Sequence, residues 1–340
     1  MDMNDFIAVG ENIHCTRIVA SGGTRTDKTP GGGEAVAFKY KGERHLLPVP
    51  ANWGTVSPPY NDGKIRHITL AIHQSLLGET EEERALGETY LCWAAERQVK
   101  KGAKFLDVNV DEYTNDAAKR VEIMTWLSGF LSERYDTPLS IDSSNIDTLS
   151  AGLSQCRKDA VPMVNSVSLE REDAVDAVID FKADAIVSAA GKTGLPNTVD
   201  SRLSNFDAIM KTLQKRGMTP QKMHLDPLVF PISVDPNNGE AFLEATRAIK
   251  KQYPQANITG GLSNISFGMP NRKLLNMVFT WMFVQAGGNG GIVDTVQMPP
   301  ADVGALDPET GPFMLAKGVL DGSDMFGGEY IAAYREGKLS

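Results

Sequence analysis

Residues 139–156, LSIDSSNIDTLSAGLSQC, hold one complete βα unit. Leu139–Asp142 is a short apolar run that ends in a carboxylate. Asn145 stands where a helix N-cap belongs, and Ile146–Cys156 follows with helical spacing of its apolar residues. The strand does not alternate polar and apolar residues, which suits a strand covered on both faces, as in a parallel sheet. The same unit recurs in both directions. Strands are predicted upstream at Phe6–Ile13 and Phe105–Val110. Downstream they are predicted at Met163–Val167, Asp184–Ala189, Met223–Val229, Asn257–Leu262 and Gly291–Val296. Helix candidates lie between them, among them Glu83–Lys101, Ala117–Tyr135, Ser201–Arg216 and Arg272–Ala286. Gly217 and Gly287 act as stops after the last two. Eight strands, each followed by a helix candidate, predict an α/β fold of the (β/α)8 TIM barrel type. A doubly wound sheet uses the same units, but no GxGxxG follows the first strand. Gly191-Lys192-Thr193 resembles the end of a P-loop, yet position 186 is Ile and the spacing fails.

One interval breaks the repeat. Residues 16–80 separate the first strand from its helix and are rich in Gly and Pro, with GGGE, PVPANWG and SPPYNDG. Ala35–Tyr40 and His45–Val49, around Lys41-Gly42, predict a β-hairpin. This segment reads as an insertion within a single domain spanning 1–340. It leaves from the C-terminal end of strand 1, the face where such barrels carry their sites. Phe38, Trp53 and Tyr60 are its candidates for a lid or for a surface that docks a partner; an element covering an edge or a dimer interface is the plainer reading.

Composition narrows the function. Of 340 residues, 34 are Lys or Arg and 43 are Asp or Glu, for a net charge of -9. An acidic chain without a basic run is ill suited to nucleic acid. Hydrophobic residues at 41% and charged residues at 23% are those of a globular protein. No apolar run of about 18 residues is present, so no membrane span is expected. The opening MDMNDFIAVGENIH lacks a basic stretch and a long apolar stretch, so a cytoplasmic location is expected. Three separated cysteines, Cys15, Cys92 and Cys156, form no CxxC motif, and five histidines form no HExxH motif. No bound metal is expected on that ground.

Polar residues recur at the C-terminal ends of the strands, where a barrel gathers them into one mouth. Strand 1 ends in Glu11, Asn12 and His14. Strand 2 carries Asp107 and Asn109, strand 3 ends in Asp142, strand 4 in Asn165, strand 6 in Asp226 and strand 7 in Asn264. Asp and Asn dominate, and clusters of Arg or Lys are missing. A phosphate ligand would ask for cations or amide nests. Carboxylates and amides instead suit a planar heterocycle with N–H donors and ring acceptors, and a reduced pterin has such an edge. Three carboxylates, Asp107, Asp142 and Asp226, would also serve as magnesium ligands in a metal-dependent lyase.

Several segments carry a family resemblance: Gly10-Glu11-Asn12, FLDVNV, LSIDSSN, MVNSVSLER, GKTGLPNTVDSRL, HLDPLVFP, GGLSNISFGMPNR and GGIVDTV. In this order, from Phe6 to about Gln297, the chain resembles methyltetrahydrofolate:corrinoid methyltransferases, the folate domain of cobalamin-dependent methionine synthase and, more distantly, dihydropteroate synthase. The resemblance implies a pterin-binding (β/α)8 barrel, a homodimer, and methyl transfer between N5 of methyltetrahydrofolate and the cobalt of a corrinoid. No corrinoid-binding motif is present in the chain, so the corrinoid is expected free or on a partner corrinoid protein. By motif, Asp142, Asn165 and Asp226 are implied to hold the pterin edge, and Asn264 to lie near N5. Asp107 and Asn109 would line the floor, with Asp107 or solvent held by it relaying a proton. Glu11, Ser266 and Arg272 are further folate contacts.

There are departures. Relatives often begin GERxN, whereas this chain has Gly10-Glu11-Asn12-Ile13-His14. Gly191 replaces an Asn common before the Lys-Thr-Gly turn. The run Val293-Asp294-Thr295-Val296-Gln297 lacks the basic residues that bind diphosphate in dihydropteroate synthase. The alternatives are a dihydropteroate synthase-like enzyme, the metal-dependent lyase, or a non-catalytic pterin-binding subunit of a corrinoid complex.

Overall fold

A computed structural model describes residues 2–339. Eight parallel strands alternate with helices along the chain. They are β1 (Ile7–His14), β2 (Phe105–Asn109), β3 (Leu139–Asp142), β4 (Met163–Val167), β5 (Asp184–Ser188), β6 (Met223–Asp226), β7 (Asn257–Ile258) and β8 (Gly290–Val293). The helix after each strand is α1 (Glu81–Val99), α2 (Ala117–Arg134), α3 (Ile146–Ser154), α4 (Ala174–Asp180), α5 (Val199–Lys215), α6 (Asn238–Gln252), α7 (Arg272–Gln285) and α8 (Gly311–Leu320). The sheet order is β7-β6-β5-β4-β3-β2-β1-β8. Its two ends meet: Asn289 N donates to Ile258 O at 3.1 Å, and Ile292 N donates to Gly260 O at 2.9 Å. That is the topology of a (β/α)8 barrel.

By compactness the chain forms two units. The first is Met1–Glu11, Lys101–Phe105 and Lys158–Ser340; the second is Asn12–Lys100 and Leu106–Arg157. In the first unit, Val9, Phe105, Met163 and Ile186 form a buried cluster, with Ile7 and Ile292 packed against it. Strand sides explain the selection: alternate residues of a strand face opposite ways, so β1 sends Ile7 and Val9 into the cluster and β2, β4, β5 and β8 one residue each.

In the second unit, Asn145 caps α3 as its position predicts. Its side-chain oxygen accepts from Thr148 N at 2.9 Å, which leaves Asp142 out of the helix start. The insertion holds more structure than the predicted hairpin. Glu34–Tyr40 and Glu43–Pro48 pair antiparallel, Thr26–Lys28 adds a third strand, and Ile18–Ala20 pairs with Lys64–Arg66. A helix at His67–Leu77 runs beside α1. The insertion also has a core. Phe38 is 5% exposed, with its ring 4.8 Å from Tyr90 and 5.5 Å from Trp93 of α1. Trp53 is fully buried against His73. Tyr60 donates its hydroxyl to Glu34 at 2.8 Å. Phe38 and Trp53 are spent on packing, which removes these two as candidates for a docking surface.

Several strands end earlier than their apolar runs suggested. The β6 strand stops at Asp226 rather than Val229, because Pro227 lacks an N–H and Leu228 takes a left-handed backbone with φ of 72°. The β7 strand stops at Ile258 rather than Leu262, and Leu262–Ser266 forms a 3₁₀ turn instead.

Candidate active site

In the second unit, Asp107 and Asn109 share one side of β2, two residues apart. The register of β2 on β3 sets Asn109 opposite Asp142, and the Asn109 amide donates to Asp142 Oδ2 at 2.9 Å. His14, at the end of β1, lies 2.8 Å through Nε2 from Asp107 Oδ2. Asp107 is fully buried. Burial pushes the Asp142 carboxyl up to about 7, and the nearby Asp107 charge adds to the rise; His14 and Asn109 act against it. Just above, Asp111 accepts from Ser143 Oγ at 2.6 Å and from both the N–H and the hydroxyl of Ser144 at 2.8 Å. Asn12, also at the end of β1, accepts from Arg17 at 2.8 Å.

His14, Asp107 and Asp142 each offer one ligand atom, all within 4.8 Å of one another. They are the set among the described residues that could hold a cation. Asp226, which the lyase alternative would have needed, is not part of it.

In the first unit, Asn165 of β4 is 9% exposed and precedes a cis peptide to Ser166. Asp226 ends β6, is 8% exposed, and accepts from Leu228 N at 2.8 Å. Burial pushes its carboxyl up to about 6, opposed by the Leu228 N–H and the Arg202 guanidinium. Asn264 lies on the 3₁₀ turn after β7, and its residue is exposed. Below it the turn is tied down. Arg272 donates from Nε to Ser266 Oγ at 3.0 Å and from Nη2 to Ser263 O at 2.8 Å, and Ser263 Oγ donates to Glu11 at 2.9 Å. Ser266 is fully buried. Glu11, Ser266 and Arg272 thus brace the turn that displays Asn264.

A family model described as pterin binding enzyme matches residues 89–294. The chain belongs to the pterin-binding enzyme family. Among curated relatives of this pterin-binding chain is a methylcorrinoid:tetrahydrofolate methyltransferase from Eubacterium limosum. It is 29% identical over 260 residues, covering 74% of this chain and 89% of that one. Among solved structures, a dihydropteroate synthase from Stenotrophomonas maltophilia matches with a TM-score of 0.52 at 16% identity, over 65% of this chain and 86% of that one. A Yersinia pestis dihydropteroate synthase with a pterine-sulfa conjugate matches with a TM-score of 0.51 at 16% identity, over 63% of this chain and 88% of that one. At such identities these likenesses establish the pterin-binding barrel fold.

Arg202 stands outside the strand-end residues that the sequence singles out. It lies in the first turn of α5, is 4% exposed, and donates from Nε to Pro227 O at 2.8 Å. The signal was present: Arg202 falls on the same inward stripe as Phe206, Ile209 and Leu213, where a charge is out of place. One departure from the family pattern also finds its reason here. A Cβ at Gly191 would sit 2.9 Å from the Asn205 amide nitrogen, which donates to Ala189 O.

Proposed function

We propose that this pterin-binding enzyme moves a methyl group between N5 of tetrahydrofolate and the cobalt of a corrinoid, free or carried by a partner protein. The exposed amide of Asn264, displayed on a braced turn, is the observation that carries this reading. The family membership and the activity named for the Eubacterium limosum relative support it. A homodimer in the cytoplasm is the working state we assign.

The corrinoid is the second substrate and supplies the cobalt that gains or loses the methyl. In transfer from methyltetrahydrofolate to Co(I), the substrate cobalt's electron pair forms the Co–CH3 bond, the N5–CH3 bond breaks with its pair staying on N5, and N5 takes a proton. A neutral amine leaves far more easily than an amide anion, so the protein's task is to favour the N5-protonated form. Asn264 does not titrate in the working range. It offers a hydrogen bond to N5 that strengthens as the transition state is reached. Asp226 and Asn165, on β6 and β4, are assigned to the pterin edge. On the second unit, Asp142 with Asn109 is assigned the same work, and Asp107 with His14 the holding of a proton.

The test mixes the protein with methyltetrahydrofolate and free Co(I) cobalamin under anaerobic conditions and follows the visible spectrum. Conversion to methylcobalamin is expected. Asn264→Ala is expected to slow it about 100- to 1000-fold while folate affinity changes by only a few fold. Turnover unchanged in Asn264→Ala would reject the assigned role.

A further inference from the structure

Arg202 is a strongly basic group whose charge acts on Asp226 in the first unit, and its bonding is incomplete. A guanidinium carries five N–H donors. Nε uses one on Pro227 O at 2.8 Å. Among the described residues, neither terminal nitrogen closes a hydrogen bond or an ion pair. Yet the residue is 4% exposed, among the apolar residues of the α5 stripe. Asp226 is adjacent in the chain to the residue Arg202 holds and feels its charge, but the two make no direct salt bridge. Asp226 itself accepts one backbone N–H, from Leu228, whose left-handed φ of 72° an ordinary turn would avoid. A buried acceptor and a buried donor fork are therefore held side by side, each with capacity to spare. None of these spare atoms is among the sealed, unpartnered polar atoms of the described residues, so their free capacity is open to a ligand as well as to water.

The complement of this pair is an edge with an N–H donor next to a carbonyl acceptor, which is a cyclic amide. We propose that Arg202 is a substrate-binding residue whose terminal N–H groups donate to the 4-oxo oxygen of the folate ring, while Asp226 accepts the neighbouring ring N–H. The inference rests on the pterin reading above and adds a specificity determinant to it. The enzyme reads the donor and acceptor pattern of the pyrimidine edge, not only its shape.

The probes are tetrahydrofolate and its 4-amino-4-deoxy counterpart, which replaces the carbonyl acceptor with an amino donor. Calorimetry on the wild type, Arg202→Lys and Arg202→Gln measures both affinities, and thermal unfolding checks each fold. The wild type is expected to favour the 4-oxo ring by about 30-fold or more, the size of a lost charged hydrogen bond. In both variants that preference is expected to shrink about tenfold, the residue belonging to Asp226. A merely structural arginine would weaken both ligands alike and leave the ratio unchanged, and that result overturns the proposal. Equal affinity of the wild type for the two rings also overturns it. Absence of tetrahydrofolate binding to the wild type sinks the pterin reading itself, a different failure from a ratio that does not move.

Discussion

The two units carry polar clusters that differ in how far they satisfy themselves. Around Asp142 in the second unit, the groups answer one another: His14 meets Asp107, Asn109 meets Asp142, and Asp111 takes three hydrogen bonds from Ser143 and Ser144. Around Asp226 in the first unit, a carboxylate accepts one backbone N–H and an arginine donates once to a carbonyl, while Asn264 stands exposed on its turn. A closed network fixes geometry before a ligand arrives and costs stability when broken. An open one has its strongest interactions still to make, so its residues should matter more to binding than to folding.

This contrast can be broken. The largest effect is expected at the open cluster. Asp226→Asn places an amide donor against ring N–H donors and should weaken tetrahydrofolate binding about 100-fold at pH 8, measured by calorimetry. Its melting temperature should hold or rise, because the burial that disfavours the Asp226 charge outweighs the Leu228 N–H and the Arg202 charge that oppose it. A large drop in melting temperature with little change in affinity would reverse the assignment of the two clusters. Next comes Asp111→Ala in the closed cluster. It removes the acceptor of three hydrogen bonds, from the Ser143 and Ser144 hydroxyls and the Ser144 N–H, and should cost about 2 kcal/mol in denaturant unfolding with folate affinity altered only a few fold.

Much of this was legible in the sequence, unevenly. The eight βα units could be read because buried parallel strands and capped helices leave local marks: the run Leu139–Asp142 and the cap at Asn145 stand within seven residues of each other. The strand-end polar residues were legible for the same reason. What each side chain does there was not. That Ser266 and Arg272 brace a turn, or that Asn109 faces Asp142, depends on register and on turn geometry, which non-local pairing decides. The β7 strand was overextended because Gly260-Gly261-Leu262 continues the apolar run while the backbone leaves the sheet for a 3₁₀ turn. The insertion was underestimated because its core is borrowed: Phe38 packs on Tyr90 and Trp93, residues assigned to a different element.

The smallest effect is the sharpest test of what the closed cluster holds in reserve. Asp142 is pushed up to about 7, first by burial and then by the Asp107 charge, with His14 and Asn109 opposing. A carboxyl raised above its unfolded value near 4 adds stability that is complete below that value and is lost as pH rises through about 7. The ligand-free protein should therefore lose stability between pH 5 and pH 8. Asp142→Asn removes this titration but keeps the size of the side chain, and the Asn109 amide can turn to meet it. The variant should be flatter over that range and about 1 kcal/mol more stable than wild type at pH 8, read from unfolding curves at the two pH values. Added tetrahydrofolate should narrow or reverse the difference, because a ligand that donates to Asp142 favours its charged form. Equal pH profiles for wild type and variant would mean that the closed cluster holds no strained charge, and that its network serves the fold alone.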